Sequence, residues 1–393
     1  MGPARGAGHW PGGRRRPHER DERPAGHEYG SGTGRAGGLV KRLAAWLALW
    51  LTASTAAAGV NYPPVVPGRA LTFPADEGSH PAFRIEWWYV TGWLATENGA
   101  PLGFQVTFFR NRPDFVTDNP SRFTPRQLLF AHAALSDPAL GRLLHDQRSA
   151  REGFGLAYAR TGRVEVAIDD WSLTQEGATY RATIPAQGFR LHLLLVRTQP
   201  PLRQGRDGFS QKGPRERSAS YYYSLPHLRV TGTVERDGRR LAVTGEAWFD
   251  HEWSSTLMDK EAVGWDWIGI NLSDGGALMA FRMRTREGKA HWAGGTLRRP
   301  DGTVRTFGPH EVEFIPGRRW TSPRSGITYP VEWTVRAGSL TLRLKPLMDD
   351  QESDSRASTG TIYWEGAVEA LAGDRGVGRG YLELTGYGKA LNL

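Results

Sequence analysis

From Val65 onward, apolar residues recur at every second position, in runs cut short by glycine, proline and Asx-Gly pairs. Side chains of an extended strand alternate between two faces, whereas a helix repeats every 3.6 residues, and hardly any stretch here shows the longer period. The chain is therefore read as all-β. Expected strands in the first half are Glu86 to Leu94, Leu102 to Phe109, Leu129 to Leu135, Val164 to Leu173, Tyr180 to Ile184, Phe189 to Val196, His227 to Val234 and Leu241 to Phe249. A second series opens with Trp265 to Leu272 and closes with Ile362 to Glu369 and Tyr381 to Thr385. Asn98-Gly99, Asp237-Gly238 and Asp274-Gly275 supply the positive φ that tight hairpin turns require. So many short strands predict two antiparallel β-barrels or sandwiches, divided as 62–245 and 246–393. The halves also look alike: Trp88 to Phe108 and Trp267 to Met283 both read as aromatic strand, Asx-Gly turn, apolar strand.

Residues 1–58 stand apart. The first 39 are rich in Gly, Arg and Pro and lack the aliphatics of a core. Lys41 and Arg42 then precede the apolar run Leu43 to Leu51 and the small-residue stretch TASTAAAG, the three regions of a secretory signal peptide. Export to the periplasm with cleavage near Ala58 is expected, with translation starting near Val40. The run is well short of the roughly 20 apolar residues a spanning helix needs. This leader holds nine basic and four acidic side chains, so more than half of the net +9 belongs to it. No basic nucleic-acid face is indicated, and nucleic acid is not an expected partner. The chain has no cysteine, which removes thiol nucleophiles, disulfides and thiolate metal ligands.

No GxSxG elbow, Walker A loop, HExxH pair or dinucleotide fingerprint occurs. What does stand out is aromatic. Seven of the fifteen tryptophans, Trp87, Trp88, Trp93, Trp248, Trp253, Trp265 and Trp267, crowd into EWWYVTGWL, AWFDHEWSS and GWDWIGINL. Glu86, Asp250, His251, Glu252 and Asp266 are interleaved with them, the pattern of a greasy pocket with a few convergent polar groups. Alternation places Phe249, His251 and Trp253 on one face of their strand and Trp248, Asp250 and Glu252 on the other. His251 has two readings, a proton shuttle beside an apolar cavity or a strand-end residue satisfying backbone groups. Glu86 and Asp266, walled by indoles, would have raised pKa values and act as acids; alternatively each accepts an indole N–H or pairs with an arginine such as Arg84. No metal site is expected, because adjacent strand residues point to opposite faces and no second histidine lies near His251 in sequence. The loop Arg197 to Ser220 leads into Tyr221, Tyr222 and Tyr223 and is placed to cover a pocket mouth, and Asp349 to Ser358 forms a second long loop.

RIEWWYVTGWL, GFQVTFFR, FAHAALSD, YYYSLPHLRVTG, AWFDHEWSS, YWEGAVE and GRGYLELTGY, in this order, resemble the AttH-like family, which is related to carotenoid 1,2-hydratase (hydroxyneurosporene synthase). The resemblance runs from about Pro64 to Tyr387 and implies two lipocalin-like β-barrel domains packed together. It further implies a cofactor-independent hydratase or hydrolase acting on a large hydrophobic, isoprenoid or lipid-like molecule. The family's DHxW element falls on Asp250, His251 and Trp253, and a downstream aspartate corresponds to Asp266. On this resemblance Asp266 donates the proton, His251 orients or deprotonates water, and Trp253, Trp265 and Tyr222 line the cation's path. From the aromatic pattern, Glu86 and Trp88 are further candidates for binding the substrate. The other reading is a non-catalytic periplasmic lipid binder, partner to the membrane subunits of an ABC-type transporter.

Overall fold

The computed structural model describes residues 60–115 and 119–391. The expected leader and signal peptide, residues 1–58, lie outside them. Among the described residues the chain forms a thirteen-stranded and a ten-stranded antiparallel sheet, each curled into a nearly closed lipocalin-like barrel. The strands that position the site in the first barrel are β1 (Ile85–Thr96), β2 (Pro101–Asn111), β3 (Leu128–Ser136), β4 (Leu144–Arg151), β5 (Ala219–Arg236) and β6 (Arg239–Thr256). In the second barrel they are β7 (Gly264–Leu272), β8 (Ala277–Arg284), β9 (Thr361–Ala372) and β10 (Arg375–Leu384). The barrels share one topology. In each, the first long strand lies between its hairpin partner and the last strand of its own sheet, β1 between β2 and β6, β7 between β8 and β10.

β6 pairs with β1 from Ile85↔Ser254 to Thr96↔Val243, so the first sheet continues to Thr256 and the second begins at Gly264. A division at 245/246 cuts through β6. Val164 to Leu173, read as one strand, is a hairpin: Asp169 takes a φ of 53° and turns Glu165–Ile168 back onto Trp171–Glu176. Aspartate reaches that conformation at little cost because its short polar side chain bonds locally. The segment from Arg197 to Ser220 is a folded flap rather than a free loop, since Phe209, Ser210 and Gln211 pair with Tyr221, Ser220 and Ala219.

Period-two alternation assigns each aromatic run to two compartments. Trp88, Val90 and Leu94 of β1 pack in the first barrel with Tyr223, Phe249 and Trp253. Tyr89 and Trp93, one residue out of phase, pack with Tyr222, Trp248, Trp267 and Phe281 in a layer between the barrels. Gly103 of β2 lets the two sheets meet, because a Cβ there would stand 2.7 Å from the Ala367 Cβ and 2.9 Å from the Tyr381 hydroxyl. Gly103→Ala is expected to destabilise by about 1–3 kcal/mol, the usual range for overpacking a filled interface. Denaturant unfolding checks this, and an unchanged midpoint would mean that the barrels are not seated tightly at Gly103.

Candidate active site

Between the barrels lies a cleft of about 560 Å³. Its apolar walls come from Trp87, Phe109, Phe130, Trp265, Trp267 and Phe281. The first barrel contributes Lys212, Tyr222, Asp250 and Glu252, the second Glu365 and Glu383. Strand parity explains the selection. Asp250 and Glu252 share the outward face of β6 with Trp248, while Trp265 and Trp267 share that of β7.

Asp250 is 2% exposed and holds three donors. The Tyr222 hydroxyl donates to its Oδ2 at 2.7 Å, the Trp248 indole to its Oδ1 at 2.7 Å, and Ser224 also to Oδ1. The Trp267 indole in turn donates to the Tyr222 oxygen at 3.1 Å. Burial pushes Asp250 up to about 7, more than these three hydrogen bonds pull it down. Glu252 is differently placed, with Lys212 Nζ 3.0 Å from its Oε1 and a hydrogen bond from Ser220.

Sequence reasoning missed the opposite wall. Glu365 on β9 and Glu383 on β10 are direct cross-strand partners. Neighbouring carboxyls cannot both ionise cheaply in a site that water leaves. Burial drives Glu365 well above the usual carboxylate range, the charge of Glu383 adds to this, and the Tyr89 and Tyr363 hydroxyls only partly offset it. Its Oε1 and the Tyr89 hydroxyl are both buried. Glu383, half-buried and open to the cleft, accepts the Trp265 indole at 2.9 Å, and burial raises it too. The signal was present in YWEGAVE and YLELTG, where each glutamate sits among aromatic and apolar strand residues.

The remaining expected residues are elsewhere. Asp266 shares parity with Ile268 and Ile270 and faces the interior of the second barrel. Arg282 Nε reaches its Oδ2 at 2.7 Å, Arg284 Nε its Oδ1 at 3.2 Å, and the Tyr387 hydroxyl donates to Oδ1 at 2.8 Å. Trp265 and Trp267 flank it in sequence but point the other way, so Asp266 is not walled by indoles in the cleft. His251, Glu86, Trp88 and Trp253 belong to the first barrel. Glu86 touches the cleft rim, but its carboxylate turns inward to meet His251 Nε2 at 2.9 Å, His80 Nδ1 at 2.7 Å and Arg110 Nε at 2.7 Å. The His80 ring stacks on Trp253 with centroids 3.8 Å apart, and Trp88 stacks on His251 at 4.9 Å. Thus of the eight expected residues Asp250, Tyr222 and Trp265 converge in the cleft, and His251 and Asp266 lie in separate barrels.

His80 is the second histidine that the sequence did not bring near His251. With Glu86 the two present three ligand atoms within 4.8 Å of one another, a set that suits a divalent cation in donor type. Their hydrogen bonds already close without one: His80 bridges Asp76 and Glu86, and Arg110 holds the second oxygen of Glu86. The cluster reads as a charge-neutralising plug in the first barrel.

A family model described as AttH-like matches residues 64–387. A crystal structure of a protein designated AttH (NE1406) from Nitrosomonas europaea is 53% identical, covers 83% of this chain and 99% of that one, and superposes with a TM-score of 0.78. Kievitone hydratase from Nectria haematococca, 15% identical, covers 84% of this chain and 96% of its own with a TM-score of 0.63, and so shares the fold. No curated protein matches. With both barrels spanned by the family model and by a solved relative of such identity, the chain belongs to the AttH-like family.

Proposed function

We propose that the cleft binds a large hydrophobic molecule of isoprenoid or lipid-like type and adds water across one of its alkenes. One observation carries this reading: carboxyl groups that burial raises, Asp250 and Glu383 to about 7 and Glu365 well above the usual carboxylate range, line an aromatic hollow that has room for an apolar chain. Hydration of a trisubstituted alkene needs an acid, a surface tolerant of a tertiary cation and a base for the incoming water. The Glu365–Glu383 pair supplies the proton to the less substituted carbon as the π bond breaks. Trp265 and Trp267 present ring faces to the cation, each worth about 0.5–2 kcal/mol. A water oxygen bonds the cationic carbon and yields a proton to Asp250, whose ionised form is held ready by Tyr222, Trp248 and Ser224. Exchange with solvent then restores both groups. His251 and Asp266 take no part, because neither reaches the cleft. The leader's composition supports a periplasmic setting.

Turnover of an apolar isoprenoid alkene in ¹⁸O-labelled water tests the reading. The expected product is the tertiary alcohol carrying the label. An alkene retained in native mass spectra but never labelled would leave a lipid carrier, the role that a transporter partner would have, and would remove the hydration step. An alkene neither retained nor altered would remove the binding reading as well.

A further inference from the structure

Away from the cleft, the loops after β2 and β4 build a surface pocket of about 490 Å³, lined by Arg122, Arg126 and Arg160 together with Ser121, Thr124 and Tyr158. At its rim Phe123, Phe154 and Leu156 are 64%, 46% and 62% exposed, the largest grouping of open apolar side chains among the described residues. The Phe123 and Phe154 rings lie 5.0 Å apart. Arg151 caps them at 4.7 and 5.4 Å, and Arg122 stands 5.4 Å from Phe154. None of these four arginines forms an ion pair within 4.0 Å among the described residues, whereas the nearby Arg148 and Arg163 pair with Asp146 and Glu165. Glu152 shares the pocket wall and offsets part of the charge, leaving the face basic.

Exposed aromatics beside unpaired guanidinium groups suit an interface that is apolar at depth and anionic at its surface. Guanidinium binds phosphate oxygens in a two-pronged fork, and phospholipid headgroups present such oxygens in a dense layer. The position adds to the chemistry, since Asn111 and Leu128, where this loop leaves β2 and enters β3, also line the cleft. We propose that this face docks the protein on an anionic phospholipid bilayer, Phe123, Phe154 and Leu156 entering the headgroup–acyl boundary and Arg122, Arg126 and Arg160 holding lipid phosphates. The inference stands independently of whether the cleft is catalytic.

Co-sedimentation of the chain from residue 59 with phosphatidylglycerol–phosphatidylethanolamine vesicles, against pure phosphatidylcholine vesicles, tests it. Binding to the anionic vesicles is expected to exceed binding to the neutral ones by about ten-fold and to fall with added salt. Phe123→Ser/Phe154→Ser/Leu156→Ser and Arg122→Gln/Arg126→Gln/Arg160→Gln should each lower it by a similar factor, with unfolding midpoints unchanged because these side chains are exposed. No preference for anionic vesicles, or unaltered binding by both triple variants, would overturn the proposal. So would inorganic phosphate abolishing the effect of the arginines while the aromatic variant still binds, which would assign the pocket to a free anion.

Discussion

Glu383→Gln is expected to lower turnover of the apolar alkene by about 10²–10⁴-fold, the range that positioned general acids contribute, while leaving ligand retention intact. The amide keeps the size of the side chain and the acceptor for the Trp265 indole, but it has no proton to give. Glu365→Gln should cost as much, and the double variant little more than either, because the charge of one cross-strand carboxyl raises the other and the two titrate as a pair. The pH profile carries the same information. Both glutamates have raised values, so the donor is present at low pH and lost as pH rises through them. Asp250, at about 7, becomes an effective base only as pH rises towards that value. The rate should therefore be bell-shaped with its maximum near neutrality, and each glutamine variant should lose the alkaline limb. Asp266→Asn serves as the contrast: it weakens the Arg282–Arg284 cluster yet should keep kcat once folded. Full turnover in Glu383→Gln and Glu365→Gln together, or its loss in folded Asp266→Asn, would move the chemistry away from the cleft.

The alternation that made the chain legible as β also set the limit of that reading. Phe189–Val196 forms over its expected range, and the split of Phe249, His251 and Trp253 from Trp248, Asp250 and Glu252 holds in the packing. Parity says which residues share a face but not which face meets the cleft. On β6 the acidic face does, and on β7 the acidic face is the buried one, so His251 and Asp266 fell on the wrong sides for opposite reasons. The Glu365–Glu383 pair depends on register between β9 and β10, which is fixed by partner strands and turns rather than by either segment alone. His80 meets Glu86 and His251 only when three separate segments close the barrel end, and nothing local in SHPAF announces it. Likewise β6 ran past its expected end because β1 supplies partners as far as Ile85, a tertiary effect overriding the local pattern.

That barrel-end cluster carries the largest expected effect on stability. Burial alone would raise Glu86, but the Arg110 guanidinium and hydrogen bonds from His251 and His80 outweigh it and hold the carboxyl well below the usual range. Glu86→Gln leaves Arg110, 2% exposed, without its counter-charge and puts an amide NH2 in place of one of the two oxygens that serve His251, His80 and Arg110. A loss of about 3–5 kcal/mol near neutral pH is expected, the usual cost of removing one partner from a buried pair. Because Glu86 has a depressed value when folded, its contribution is present above the ordinary glutamate pKa and fades as pH falls through the folded one. The gap between wild type and variant should therefore narrow on acidification. His80 works in the opposite sense. Burial would lower it, but the Asp76 and Glu86 carboxylates raise it, so its contribution is complete below the ordinary histidine value and is lost as pH rises through the folded one. Removing Glu86 should flatten that alkaline decline too. Adding Arg110→Met to Glu86→Gln should recover part of the loss by taking away the stranded charge. Denaturant unfolding from acid to mildly alkaline pH measures all of this, and a Glu86→Gln protein matching wild type across the range would mean the four groups do not form a mutually dependent set.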